Sequence, residues 1–516
     1  MRKIVAGLSA TVLGLGVALT GPGAPARAGA ERADTAVRPD AARRAADATR
    51  DVPGIVWKRC EKPLPERLEC GTLSVPVNHD DPYGRQITIA LTRRRHTVPA
   101  SEYRGILLLN PGGPGASGRE LADGFVKAAG KAAAAYDVIG FDPRGVGASR
   151  PSLKCVPEPQ KAAPYGVPDT AREERYWLDW ARRVARTCEK RYGRLLPYMR
   201  TEDSARDMDY IRAALGQERL SFFGYSWGTM LGMTYATLFP ERVDRMVLDS
   251  VVDPEKTWYE LTFAQNAGFE KRVHEFFAWA ARHHSVYRLG ATPEKVKATY
   301  HRLRSTLKKK PLADGLLGPA ELDELLVLTS YHDSSWPGLA AQLKTWRSGE
   351  TTLLELAWAL IKVEADEGNG VFYATSCSDS PWPRDWRTWR RDAAASHRTA
   401  PFFSWQNTLG SLPCAFWPVP ERPRPRISGD GLPPILLVQS TGDPATPYAG
   451  ALAAHRLLPS SRLVLEENGG NHAISLQGGN KCIDRHVVNY LATGALPADR
   501  PGPDATCAPV PPKPES

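Results

Sequence analysis

Ser226 stands between two glycines in Gly224-Tyr225-Ser226-Trp227-Gly228. The apolar run Leu220 to Phe223 leads into it, and a helical pattern follows, with Trp227, Leu231 and Tyr235 at i, i+4 and i+8. A strand, a sharp turn and a helix hold a serine hydroxyl exposed on a strained backbone, with the next helix's N-terminus beneath it to favour negative charge. Both flanking positions must then lack a bulky side chain, as glycine does. A chain with 44 glycines can carry Gly-x-Ser-x-Gly by chance. The motif gains meaning only if the chain also supplies a base, an acid and donors for an oxyanion.

A serine hydroxyl is a poor nucleophile until a base takes its proton, and the base needs a third group to orient it and stabilise its charged form. In a strand–turn–helix setting these follow in the order Ser, acid, His, each after a strand. Asp443 lies in Thr441-Gly442-Asp443-Pro444, after the apolar run Pro434 to Gln439. His472 follows the run Arg462 to Glu466 and the loop Asn468-Gly469-Gly470-Asn471. Taken singly, Asp443 is an ordinary turn residue and His472 one of eleven histidines. Taken together, in this order, Ser226, Asp443 and His472 read as a catalytic triad. The oxyanion hole is expected from the N–H of Trp227 and from the loop Asn110-Pro111-Gly112-Gly113-Pro114-Gly115, with Gly113 the second donor and Gly112 the fallback.

The elements that must position these residues follow a clear order. Leu73 to Val77 and Gln86 to Arg93 alternate as strands, joined by the turn Asp80 to Gly84, and read as an antiparallel opening pair. Gly105 to Asn110, Tyr136 to Asp142 and Val243 to Asp249 are runs suited to strands buried on both faces. Their alternation with helical stretches predicts a mostly parallel sheet with crossover helices. Residues 151–200 form an insertion bracketed by Cys155 and Cys188, and Thr201 opens a helix to about Leu215. From residue 253 to 428 the pattern turns helical and holds ten of the fourteen tryptophans. The Pro-rich stretch from Pro418 leads out of it, and the tail from Pro497 reads as loose except where Cys507 ties it down. The expected organisation is a core of 51–252 and 429–516 with a helical block, 253–428, between its halves.

The N-terminus reads as a signal peptide over 1–28: Arg2 and Lys3, an apolar run from Ile4 to about Leu19, then Ala26-Arg27-Ala28 as a small-x-small cleavage site. That run is short for a membrane anchor, and no later stretch is long and apolar enough to span a bilayer. Residues 29–50, rich in Ala, Arg and Asp, read as a propeptide or disordered segment. Eight cysteines agree with secretion; they allow 105 pairings. Pairing sequence neighbours (60–70, 155–188, 377–414, 482–507) closes each loop within one region. Residues 1–50 carry eight Arg and Lys against four acids, a net +4 of the formal +10, and Lys308-Lys309-Lys310 is the one tight basic run. A nucleic-acid module would need a basic stripe interleaved with aromatics. Neither CxxC nor zinc-like Cys/His spacing occurs, so no metal and no cofactor are expected.

Asn110-Pro-Gly-Gly-Pro-Gly-Ala-Ser-Gly118, Tyr136-Asp-Val-Ile-Gly-Phe-Asp-Pro-Arg-Gly-Val-Gly-Ala-Ser149 and Gly224-Tyr-Ser-Trp-Gly-Thr229 resemble the α/β-hydrolase superfamily. More narrowly they resemble the secreted tripeptidyl aminopeptidases of actinomycetes, relatives of the prolyl aminopeptidases. The likeness covers nearly the whole chain after residue 50. It implies an α/β-hydrolase fold, a mostly parallel central sheet flanked by helices with a mainly helical cap insertion. It also implies an exopeptidase that releases tripeptides from free N-termini; a monomer is expected. Pro111 stands where prolyl aminopeptidases commonly carry His, which favours the tripeptidyl branch. Such an enzyme wants a cap carboxylate for the substrate's ammonium; Asp379 is the first candidate, then Glu364 and Asp366. A secreted carboxylesterase with the same triad is the alternative, and a catalytically silent binding protein on this fold the more distant one.

Overall fold

The continuous apolar runs form the middle of a ten-stranded sheet. Its strands are β1 (Lys58–Arg59), β2 (Glu69–Pro76), β3 (Gln86–Arg94), β4 (Ile106–Asn110), β5 (Asp137–Asp142), β6 (Leu220–Tyr225), β7 (Val243–Asp249), β8 (Leu436–Ser440), β9 (Arg462–Glu466) and β10 (Ala505–Cys507). They lie in the order β1-β2-β3-β5-β4-β6-β7-β8-β9-β10. The first three, and β3 against β5, pair antiparallel; every pair from β5 and β4 to β10 is parallel. A computed structural model describes residues 52–512, apart from 158–160, 165, 478 and the side chains of 360–367. The expected signal peptide and propeptide lie outside the described residues.

Strand periodicity explains why the central runs are apolar throughout. Leu108, Phe222 and Leu248 face one side and pack with α3 (Thr201–Ala214) and α4 (Trp227–Leu238). Their neighbours Leu107, Phe223 and Val247 face the other, against α1 (Leu121–Ala129). Successive side chains alternate faces, so a strand covered on both sides must be apolar at every position. The described residues that follow Cys155 include α2 (Ala171–Tyr192).

Between β7 and β8 the chain leaves the sheet for a helical insertion. It contains α5 (Trp258–Arg282), α6 (His284–Tyr287), α7 (Pro293–Lys309), α8 (Pro319–Thr329), α9 (Trp336–Arg347), α10 (Thr352–Asp379), α11 (Trp386–His397) and α12 (Ser404–Ser411). Thr257 and Glu260 start α5 with a reciprocal capping box, satisfying two backbone N–H groups. Phe276, Trp279, Tyr300, Leu325 and Trp336 form a separate apolar cluster, whereas Trp258, Trp382, Trp389, Trp405 and Trp417 join the main core. Then α13 (Tyr448–Leu457) and α14 (Lys481–Thr493) complete the chain's helices among the described residues.

The four expected disulfides are present: Cys60–Cys70, Cys155–Cys188, Cys377–Cys414 and Cys482–Cys507. The tail is tied down at Cys507 as expected, and there Ala505–Cys507 also adds a parallel edge strand to β9. Asp504 secures that strand by accepting the Leu463 N–H at 2.7 Å. Three residues carry no legible periodicity; the strand exists because β9 offers an open edge beside the Cys482 anchor. Among the described residues no helix is long and apolar enough to cross a membrane.

Candidate active site

The turn between β6 and α4 holds Ser226 at φ 56°, ψ −125°. An L-residue enters that region at a cost of about 1–3 kcal/mol. A Cβ on Gly224 would fall 2.6 Å from the Gly228 carbonyl oxygen, and one on Gly228 would fall 2.9 Å from the Asn110 carbonyl oxygen. The two motif glycines are thus needed for close approach, as the sequence predicts. The Ser226 N–H donates to the Asp249 carbonyl at 3.0 Å, and its carbonyl accepts from the Thr229 N–H and hydroxyl at 2.8 and 2.7 Å.

Asp443 and His472 meet although 29 residues apart, with His472 Nδ1 2.9 and 3.0 Å from the two carboxylate oxygens. The same carboxylate accepts the Ala445 and Thr446 N–H groups at 2.9 Å and the Thr446 hydroxyl at 2.8 Å. Burial pushes the Asp443 carboxyl up, but the imidazole and these donors outweigh it and hold the group below the usual carboxylate range. Burial likewise pulls His472 down, and the Asp443 and Asp249 carboxylates more than offset that, raising it. An Nδ1–H given to Asp443 leaves Nε2 as the basic nitrogen.

Asp249, to which the motifs assign no role, links this pair to the serine turn. Its carbonyl holds the Ser226 N–H, while its buried carboxylate accepts the Ser475 N–H at 2.7 Å and the Ser250 hydroxyl at 2.9 Å. Ser250 Oγ in turn accepts the Ala473 N–H at 2.7 Å, and the Tyr225 hydroxyl donates to the Ser475 carbonyl at 2.8 Å. The loop after His472 is therefore fastened to the ends of β6 and β7, which flank Ser226. Burial pushes Asp249 up to about 6 against these donors. An acid closing the apolar run Met246 to Leu248 was the signal available for it.

On the oxyanion side, the Gly112 N–H is already donated to Asn110 Oδ1 at 3.0 Å. Gly112 lies against the serine turn: a Cβ there would fall 2.8 Å from Ser226 Cβ and 3.2 Å from the Trp227 nitrogen. Trp227 stands at the first position of α4.

A cavity of about 760 Å³ lies between the helical insertion and the segment from Val156 to Arg183. Tyr331 lines it, stands edge-on to the His472 ring at 5.4 Å between centroids, and accepts the His472 N–H on its carbonyl at 2.9 Å. Asn369 also lines it, next to Gly368, whose carbonyl oxygen lies 2.5 Å from where a Cβ on Gly115 would stand. The cavity thus adjoins both the histidine loop and the glycine loop. Glu324, Val327, Leu328 and Tyr331 line it at i, i+3, i+4 and i+7, one stripe of α8 and the turn after it. Tyr176, Trp177, Trp180 and Arg183 of α2 line it too, so the wall draws on residues that the sequence reading put in the core.

Asp379 does not serve as expected. It is buried, and its carboxylate accepts the Thr201 N–H at 2.8 Å, the Thr201 hydroxyl at 2.6 Å and Trp258 Nε1 at 3.3 Å. Those bonds join α10 to the starts of α3 and α5, and Asp379 does not line the cavity. Glu364 and Asp366 lie among the side chains outside the described residues. Two acids line the cavity, Glu321 and Glu324; Glu324 is half-buried and pushed up to about 7 by burial and by Glu321. Glu321 itself is committed to the Gly318 and Ala163 N–H groups at 2.9 and 2.8 Å. The i, i+3, i+4, i+7 spacing from Glu324 to Tyr331 was the sequence signal that could have found it.

Residues 105–478 match the model of the alpha/beta hydrolase fold family. The chain is 42% identical over 478 residues to a tripeptidyl aminopeptidase of Streptomyces coelicolor, covering 88% of this chain and 86% of that one. It is 33% identical over 481 residues to serine protease Hip1 of Mycobacterium tuberculosis, covering 86% and 89%. It is 32% identical over 470 residues to carboxylesterase B of Mycobacterium tuberculosis, covering 86% and 88%. The chain belongs to the α/β-hydrolase superfamily and, within it, to the tripeptidyl aminopeptidase family, and is a serine hydrolase of the peptidase kind.

Proposed function

We propose that the protein is a secreted serine exopeptidase that releases tripeptides from peptides with a free N-terminus. Ser226 Oγ attacks the third carbonyl as His472 Nε2 takes its proton, and Asp443 orients and stabilises the imidazolium. The Trp227 and Gly113 N–H groups bind the oxyanion. His472 returns the proton to the departing amine, and water then hydrolyses the acyl-enzyme by the same route. The helical insertion acts as a cap that receives the acyl tripeptide and keeps water out. Secretion is supported by the N-terminal pattern and by four disulfides.

The observation that carries this reading is the stripe from Glu324 to Tyr331. Glu324 offers a carboxylate to an α-ammonium at one end, and Tyr331 touches His472 at the other. Seven residues at helical rise, here the end of α8 and the turn after it, cover about 10 Å. Three residues of extended peptide span roughly the same 10 Å. An ammonium held at Glu324 therefore sets the third carbonyl at the histidine end. Esterase action is the second reading, favoured by the carboxylesterase relative.

A chromogenic tripeptide amide, its N-acetylated form and a short acyl ester separate these. The expected result is cleavage of the free-amine peptide, weak cleavage of the blocked one, and loss of both in Ser226→Ala. Equal cleavage of the blocked peptide would sink the exopeptidase reading, and turnover of the ester alone would establish the esterase.

A further inference from the structure

The loop that presents His472 has no regular structure. Asn468 and Ala473 both adopt positive φ, at 62° and 56°. Neither helix nor strand hydrogen bonds fix the imidazole's direction, so side-chain contacts must. Below the loop, Asp249 and Ser250 hold Ala473 and Ser475, as described above. Above it lies the helical insertion.

We propose that Asp333 and Arg272 of the insertion are positioning residues for His472, acting through Asn471. Asn471 Oδ1 accepts the Asp333 N–H at 2.9 Å and Arg272 Nη2 at 3.2 Å. Asn471 Nδ2 donates to Asp333 Oδ1 at 3.0 Å, so the asparagine and aspartate bind reciprocally. The Tyr331 carbonyl takes the N–H of His472 itself. Arg272 is fixed within the insertion: Nε donates to the Ser330 carbonyl at 3.3 Å, Nη1 meets Glu275 at 2.7 Å, and the guanidinium lies over the Trp336 ring at 4.6 Å. A Cβ on Gly470 would collide with that guanidinium, so the loop is shaped to it.

The acid of the pair is held from the same side. Gln265 Nε2 of α5 donates to the Ala445 carbonyl at 2.7 Å, and Gly268 packs against Pro444. The insertion is thus joined to the loops of both Asp443 and His472. On this side it is part of the scaffold that aims the histidine, and it also carries the cavity wall from Glu324 to Tyr331. An insertion that only sheltered the substrate would not need a reciprocal side-chain clasp on the residue before the base.

The inference rests on the triad reading, and the experiment tells the two apart. The probe is the chromogenic tripeptide amide with the full chain, and kcat, KM and thermal midpoint are measured for each variant. His472→Ala should abolish turnover; if it does not, the triad reading fails. With that control in place, Asp333→Ala and Asn471→Ala should each lower kcat roughly 10- to 100-fold, the loss that small misplacement of a catalytic group brings. KM should stay within about twofold and the folded fraction should be unchanged by circular dichroism. The reciprocal double variant Asp333→Asn with Asn471→Asp keeps the clasp with its polarity exchanged and should recover most of the loss. If kcat survives in both single variants, or if KM rises while kcat holds, the clasp only steadies the insertion and the proposal is wrong. If Asn471→Ala fails to fold, the milder Asp333→Ala and the double variant decide alone.

Discussion

Glu324→Gln keeps the shape of the side chain and a carbonyl oxygen for the substrate amine but removes the charge. Two unit charges 4 Å apart attract by about 4 kcal/mol at an effective dielectric of 20, which suits a half-buried group opening onto a cavity. The amide still accepts a hydrogen bond worth about 1 kcal/mol. The net loss is then about 2–3 kcal/mol, or roughly 30- to 150-fold in kcat/KM. The loss should fall on the free-amine tripeptide amide. Its N-acetylated form should change by no more than about twofold, since it has no ammonium to lose. A length series adds a second readout. Wild type should prefer three residues over two or four, and the variant should lose that preference, because the anchor that sets the register is gone. Burial and Glu321 push Glu324 up to about 7. An ammonium draws that value down, so binding below pH 7 should release a proton, measurable by calorimetry in buffers of different ionisation heat. Equal losses on free and blocked peptides, or no loss on either, would refute the assignment of Glu324 to the amine.

The rate should rise with pH on its acidic side, because the proposed roles require neutral His472 and ionised Glu324. His472 is raised above its ordinary 6.5 and Glu324 lies at about 7, so kcat/KM should climb through about pH 7. In Glu324→Gln only the His472 step should remain, and a profile flat from pH 5 to 8 would contradict both roles. Arg144→Met tests the fold. Arg144 is fully buried and pairs with Asp207 through Nε at 2.8 Å and Nη2 at 2.6 Å, besides donating to the Val77 carbonyl at 3.1 Å. Removing it leaves Asp207 with His79 alone, at a cost of about 3–5 kcal/mol. Thermal denaturation should show a clear drop in midpoint while kcat per folded molecule holds; an unchanged midpoint would mean that the buried pair is dispensable.

The aromatic lining also explains why one side of the substrate resists reading from sequence. Tyr176, Trp177 and Trp180 reach the cavity from α2, while Phe372 and Tyr373 reach it from α10. These helices lie far apart in the chain and share no motif. Their common wall exists only because the Cys155–Cys188 segment and α10 pack at the same place, where a Cβ on Gly370 would meet the Leu153 carbonyl and Cys155 Sγ.

Local order was legible in the sequence. The elbow at Ser226 needs small neighbours at Gly224 and Gly228 and an apolar strand before them, and each requirement is visible along the chain. The central strands declare themselves as continuous apolar runs because both sheet faces are covered. Asp443 and His472 could be singled out because parallel strands bring their C-terminal ends to one edge of the sheet, so order along the chain carries spatial meaning. Asp379 was misread because an acid beside Cys377 looks the same whether it faces a cavity or caps a neighbouring helix. The choice depends on Thr201, which lies 178 residues away. Only the tertiary structure could join Asp249 to Ser475, Asn471 to Asp333, or Glu324 to the cavity. Those are contacts between segments with no shared periodicity, made by side chains whose direction is set by packing. The sequence determines where Ser226, Asp443 and His472, the proposed nucleophile, acid and base, lie along the chain; the fold decides what holds them and what they face.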